Sequence, residues 1–489
     1  MKIKNKLFVG VISLVLGSCH CAQTSHIQEL PSDSISLFTS SDKNLETFFS
    51  WAKDQARYYV HDGRDSVGLW YESALSGREA FCMRDVSHES VGGHLMGLQA
   101  HNQNMFMKFA ENISESKDWC TYWEINRYNK PAPADYENDK EFWYNLNANF
   151  DVVQACMKMY EWTGDETYLN DPKFVNFYEK TFDKYVSHWQ LGPSEIMDRP
   201  RFMHTPEPFN PNKAFHVCRG LASYVENFDG LSVSIDLIAA LYAGHKAYAS
   251  MLNLMGNEEK AVEYETRAHE YQKLMDDRWW NDSLQYYNTF WTTNKEFFKG
   301  EGITFVLWMD IIKNPERINA SVKDLLSGNW NVENLSHIPM ILYRLGYVED
   351  AYRYLTDLRK NKRSNYPEVS FSCVESVLSG YMGILPKAST KTLRTHLRSV
   401  SQDVASVRNV PVWKGYIDVR HNDHSESTLR NNTGESLLWE ACFDGHYDQA
   451  MVNGKKCESI EYETDVQGHA YTVVRVKVNN AKETSVRVL

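Results

Sequence analysis

Apolar residues recur at helical spacing over most of the chain. Phe150, Val153, Met157 and Tyr160 fall on one face of a helix that stops at Thr163-Gly164-Asp165. A second helix follows, carrying Phe174, Phe177, Tyr178, Phe182, Tyr185 and Trp189. Ile238, Leu241, Tyr242, Ala249 and Leu252 mark another, ending at Met255-Gly256-Asn257, and Tyr264, Ala268, Tyr271 and Met275 mark its partner. Ile341, Leu342 and Leu345 run to Gly346, and Ala351, Tyr354, Leu355 and Leu358 return. Each unit is a helix, a glycine suited to a left-handed cap, a short loop and an antiparallel helix. From about Asn44 to Leu385 this predicts repeated αα-hairpins in a closed barrel or a solenoid.

Beyond about Thr390 the period changes to two. Ile417 and Val419 alternate with Asp418 and Arg420, and Val474, Val476 and Val478 alternate with Arg475 and Lys477. Asn453-Gly454 sits between Val452 and Lys455 as a hairpin turn, and Val486, Val488 and Leu489 close the chain. Ile35 to Phe38 also reads as strand, able to pair with this region or with another N-terminal segment. The predicted organisation is a leader over 1–22, a helical unit over 33–390 and an antiparallel β unit over 391–489.

The leader reading rests on Lys2, Lys4 and Lys6 ahead of an apolar run from Leu7 to Leu16, too short for a spanning helix. Leu16-Gly17-Ser18-Cys19 resembles a bacterial lipobox, which implies a lipid on Cys19 and a periplasmic, membrane-anchored protein; the alternative is plain cleavage after Ala22. The other cysteines are scattered without a CxxC pair and read as small buried hydrophobes, with room for one disulfide. A net charge of −12 argues against nucleic acid as a partner. Aromatic residues reach 13% of the chain, more than a core alone asks for, and flat rings suit the apolar faces of sugars.

Candidate chemistry begins at Arg84-Asp85, which with His88 and Glu89 runs into a small, glycine-bearing segment ending at Leu98. A polar pair ahead of a tightly packed face is sensible at the mouth of a cavity, with the Gly-rich turn of Gly92 and Gly93 packed beneath it. Here the chain resembles the six-hairpin (α/α)6-barrel glycosidases, which include trehalase, glucoamylase and α-L-rhamnosidase. Met83 to His88 with Gly93 to Leu98 resembles their first-hairpin substrate motif. Val233 to Tyr242 is similar to a trehalase-type helix, and Tyr366 to Phe371 through Gly380 to Pro386 to the closing hairpin before a C-terminal β domain. The Ser-Gly-Trp-Asp acid motif of trehalase is absent, and Ser223 to Gly230 occupies the corresponding stretch. The resemblance implies a mainly α fold, an (α/α)6 toroid with a small C-terminal antiparallel β domain, and an inverting, exo-acting glycoside hydrolase whose partner is an oligosaccharide or polysaccharide.

Inverting hydrolysis needs an acid and a base carboxyl across the bond. Glu226 and Asp229, in an aromatic loop with Tyr224 and Phe228, are the acid candidates; the plainer reading is two capping carboxylates. Glu368, in a loop after Pro367, and Glu375, at an apolar helix start, are the base candidates; the plainer reading is a buried glutamate paired with an arginine. Arg84 and Asp85 suit sugar hydroxyls, with His88 beside them and Trp123 as a stacking ring, against a structural salt bridge and core packing. No metal and no cofactor are expected: His88-Glu89 lacks the second histidine of a zinc motif, since His94 comes too late, and His421 and His424 read as a surface pair. A lyase or epimerase on the same barrel stays open through Arg201, His204, His216 and Arg219, as does a non-catalytic glycan-binding lipoprotein.

Overall fold

A computed structural model describes residues 31–75, 77–200, 219–226, 230–457 and 459–489. Its principal helices are α1 (Lys43–Tyr58), α2 (Met83–Leu95), α3 (Gln99–Ala110), α4 (Ala148–Thr163), α5 (Pro172–Lys180), α6 (Ile235–Leu254), α7 (Glu258–Arg278), α8 (Ile303–Trp308), α9 (Pro315–Ser327), α10 (Val332–Arg344), α11 (Val348–Leu358) and α12 (Pro367–Glu375). Their starts are set by short polar side chains. Asp42 accepts from the amides of Asn44 and Leu45, Ser234 from Asp236, Asn314 from Arg317 and Asn331 from Asn334. Gly164, at φ 63°, ends α4 as the left-handed cap.

The even-numbered helices form a closed ring. α2, α4, α6, α8, α10 and α12 each pack on the next, and α12 packs back on α2. Each inner helix is followed by an outer one, except α12, whose outer partner α1 comes from the start of the chain. Burial separates the two layers. α6 is buried on nearly every side, whereas α7 buries only Ala261, Ala268, Tyr271 and Met275. This is an α/α toroid of six hairpins.

The β unit contains two sheets. Its strands are β1 (Leu37–Ser40), β2 (Leu385–Lys387), β3 (Thr392–His396), β4 (Val404–Val412), β5 (Gly415–Asn422), β6 (Glu426–Asn432), β7 (Leu437–Asp444), β8 (Ala450–Val452), β9 (Lys455–Cys457), β10 (Ile460–Thr464), β11 (Ala470–Val478) and β12 (Lys482–Val488). One sheet runs β1-β4-β5-β6-β12-β8-β9 and the other β2-β3-β7-β11-β10, antiparallel apart from β3 beside β7. β1 pairs with β4, Leu37 opposite Arg408 and Ser40 opposite Ala405, so residues at the start of the chain belong to the C-terminal sheet. Asn453 and Gly454, both at positive φ, make the two-residue turn between β8 and β9.

Toroid and sheets share one core and bond directly. His94 Nε2 lies 2.9 Å from the Pro411 carbonyl, Trp413 Nε1 donates to the Glu161 carbonyl at 3.2 Å, and Tyr381 donates to Asp403 at 3.0 Å. His421, expected on the surface, is a buried β5 residue held between Ser427 and the Met382 carbonyl, because its strand faces the toroid. Gly92 and Gly93, expected in a turn, lie inside α2; a Cβ on Gly92 would overlap the Phe371 carbonyl of α12, so the glycine sets how closely the ring closes. The described cysteines Cys82, Cys120, Cys156, Cys373, Cys442 and Cys457 are all free, and Cys218 lies outside the described residues.

Candidate active site

The inner helices present their N-terminal ends to one mouth. Arg84 and Asp85 open α2, Glu226 lies in the segment leading to α6, Glu301 and Gly302 precede α8, Asn331 and Glu333 open α10, and Tyr366 precedes α12. Helix N-termini carry partial positive charge, which suits a mouth rich in carboxylates. A cavity of about 350 Å³ opens here, with Tyr224, Glu301 and Phe305 among its walls. A second, of about 120 Å³, adjoins it between Trp123, Tyr366 and the Arg78 ion-pair group. Arg84, Glu226 and Glu333 border both, so they form the waist between two lobes.

At this waist the side chains are tightly bound to one another. Arg84 Nε donates to Asp85 Oδ1 at 3.0 Å, and Tyr366 donates to Asp85 Oδ2 at 2.8 Å. The Arg84 guanidinium lies 6.0 Å from the Trp123 ring centre and 5.9 Å from that of Tyr224. Burial pushes the Asp85 carboxyl up, against the pull of Arg84. Arg78 holds Glu124 at 2.6 Å and Asp135 at 2.9 Å in the smaller lobe.

Glu226 has the environment of a proton donor. Burial raises its carboxyl to about 7; Arg84 opposes the rise and Asp85, Glu333 and Asp135 add to it. Burial, then Glu333, also raises Glu301. Glu333 gives one oxygen to Arg363 at 2.9 Å, and its buried Oε2 has no hydrogen-bond partner.

The remaining sequence candidates fall elsewhere. Asp229 lies outside the described residues, as do Arg201, His204 and His216. Glu368 sits in the first turn of α12, not a loop, beneath the cavity wall. Burial works against its charge, but His337 and His88 beside it hold the carboxyl low. Glu375 ends α12 where the chain passes into a π turn over Ser376–Tyr381, with Lys158, His88 and Arg344 as its charged neighbours, and burial raises it to about 7. Neither borders the two lobes. His88 likewise lies below, against Tyr224 and Phe305. Arg219 is ion-paired with Asp118, outside both lobes.

Sequence reasoning missed Glu301 and Glu333. Glu333 has the sequence context of an ordinary first-turn carboxylate behind the Asn331 cap. The available signal was that its helix, unlike α7 or α11, is apolar on more than one stripe and therefore belongs to the inner ring.

Comparison with known proteins agrees with this architecture. Residues 224–336 match the trehalase family model, a segment that contains Glu226, Glu301 and Glu333. An α-L-rhamnosidase of Dictyoglumus thermophilum superposes with a TM-score of 0.61 at 11% identity, covering 93% of this chain and 50% of that one. A rhamnosidase of Bacillus SP. GL1 gives 0.53 at 12% identity, over 83% of this chain and 41% of that one. A putative kojibiose phosphorylase from human microbiome gives 0.50 at 10% identity, over 92% and 68%. The chain thus spans about half the length of the first of these or less of the second. No curated protein matches it. By fold, and by resemblance of the matched segment, the chain is similar to the six-hairpin glycosidases.

Proposed function

We propose that this protein is a glycoside hydrolase that cleaves a terminal sugar with inversion, using Glu226 as acid and Glu333 as base. The observation that carries the reading is a carboxyl raised to about 7 at the junction of two lobes, with a second carboxylate bordering the same junction. Glu226 donates its proton to the glycosidic oxygen as the bond from that oxygen to the anomeric carbon breaks. Water attacks the anomeric carbon from the opposite face and gives its proton to Glu333. Arg84 and Asp85 bind sugar hydroxyls, and Trp123 offers its ring in the smaller lobe. Glu333 replaces Glu368 and Glu375 in the base role, since those two do not reach the cavity.

The deciding experiment is turnover of a panel of aryl and natural glycosides, with the anomer of the first-formed sugar read by NMR. Inverted product that needs no phosphate supports the reading. Strict dependence on phosphate would make the protein a phosphorylase, an unsaturated product would make it a lyase, and saturable binding without turnover would make it a glycan-binding protein. We also propose that Cys19 carries a lipid anchor in the periplasm. No helix among the described residues is long and apolar enough to cross a membrane. Cys19→Ala is then expected to move the protein from the membrane fraction to the soluble one; unchanged partition excludes the anchor.

A further inference from the structure

Beneath the cavity floor, His88 of α2, His337 of α10 and Glu368 of α12 meet with one ligand-type atom each, all within 4.8 Å of one another. All three are buried. Their polar atoms are poorly satisfied: both ring nitrogens of His88, both of His337 and Glu368 Oε2 have no hydrogen-bond partner. His337 Nε2 stands 2.8 Å from Glu368 Oε1 but out of line for a hydrogen bond, and His88 Nδ1 stands 3.7 Å from the same oxygen, beyond hydrogen-bond reach. Ion-pair contacts alone hold these groups, and so many polar atoms without a hydrogen bond in one buried cluster are costly unless something else binds them.

We infer that His88, His337 and Glu368 form a site for a divalent transition cation of the zinc type. Two imidazoles and one carboxylate are a common zinc donor set, and nitrogen and oxygen ligands lie at about 2.0–2.2 Å from the ion. Two ligands at such lengths stand about 3.3 Å apart in a regular tetrahedron. The observed 2.8 and 3.7 Å to Glu368 fall on either side of that spacing, and the His88–His337 pair lies within 4.8 Å, so the two rings close in when an ion binds. Asp151 lies 3.7 Å from the other nitrogen of His88 and accepts a 2.5 Å bond from Tyr224, so it stands ready to orient that ring. The role of such an ion follows from where its ligands come from. α2, α10 and α12 lie on both sides of the seam where the ring closes, and His88 supports Tyr224 and Phe305, which line the larger lobe. The ion is a clip across the seam and sits below the reacting groups. The inference does not depend on the hydrolase reading.

The test is metal content of the purified full-length protein after loading with Zn²⁺ and dialysis, with Co²⁺ substitution as a spectroscopic readout. About one ion per chain is expected, with a melting temperature that rises on loading and a visible Co²⁺ band, all lost in His337→Ala and Glu368→Gln. Wild-type protein that retains less than roughly a tenth of an ion, or an ion that stays bound in His337→Ala, overturns the site. Should the variants not fold, competition between wild type and a chromophoric chelator gives the stoichiometry directly. Loss of glycosidase activity alone counts neither way, so this result and the fate of the hydrolase reading remain separable.

Discussion

The function of this site turns on single carboxyls whose neighbours differ. Glu226 is buried beside Arg84 with other acids around it, and a carboxyl raised to about 7 keeps a large share of its protons at neutral pH, where an ordinary carboxyl has lost them. An acid of this kind works below its pKa and fails above it. Turnover should therefore fall as pH rises through about 7, and Glu226→Gln should remove that alkaline limb while lowering kcat by roughly 10²–10⁴-fold on substrates with poor leaving groups. A pH–rate profile that keeps its alkaline limb in the variant would assign the acid elsewhere. Glu333→Gln should lower kcat by a similar factor with KM little changed, because the base acts on water more than on bound sugar; steady-state kinetics separate the two. Arg84 and Asp85 were legible as a polar pair ahead of a tightly packed segment, and Glu226 as a carboxylate in an aromatic loop; all three border the cavity. Glu333 was not, because a first-turn glutamate behind an asparagine cap looks the same on an inner helix as on an outer one. Glu368 lies off the two lobes for a reason no local pattern shows: His88 and His337, which hold it, are distant in sequence.

At the scale of elements, the ring closes where α2 lacks a side chain at its contact with α12. Gly92 lets α2 lie against the backbone of α12. Gly92→Ala should force the two helices apart and cost about 1–3 kcal/mol or more, measured as a lowered melting temperature; an unchanged melting curve would show that the seam has slack. The hairpins were legible because outer helices are amphipathic and the inner helices α2, α4, α6 and α10 end at Gly97, Gly164, Gly256 and Gly346. α8 was not, since Ile303–Trp308 is too short and too uniformly apolar to show a period. The Gly92-Gly93 pair read as a turn because glycine in a helix interior is unfavourable unless close packing compensates.

For the molecule as a whole, toroid and sheets are not independent. Trp413 and His94 tie the two, and β1 crosses from one to the other. A chain ending after Thr390 would leave β1 without β4 and strip a wall from the shared core. Such a chain should be insoluble or lack a cooperative melting transition; a soluble, cooperatively melting product would show that the toroid stands alone. Alternating residues in β5 and β11 announced the sheets, but nothing local told that Leu37 would pair with Arg408, because a register between distant strands is fixed by the whole fold.

That pairing also sets an order of events. α1 lies on α12, and β1 hydrogen-bonds to β4, so both ends of the polypeptide are needed to complete either layer. The first strand and helix are made long before their partners and stay exposed until α12 and the strand containing Arg408 are available. Contacts between such distant residues slow folding and lengthen the window for aggregation. The chain therefore stays open to aggregation until its last third arrives, whether it folds as it is made or after export.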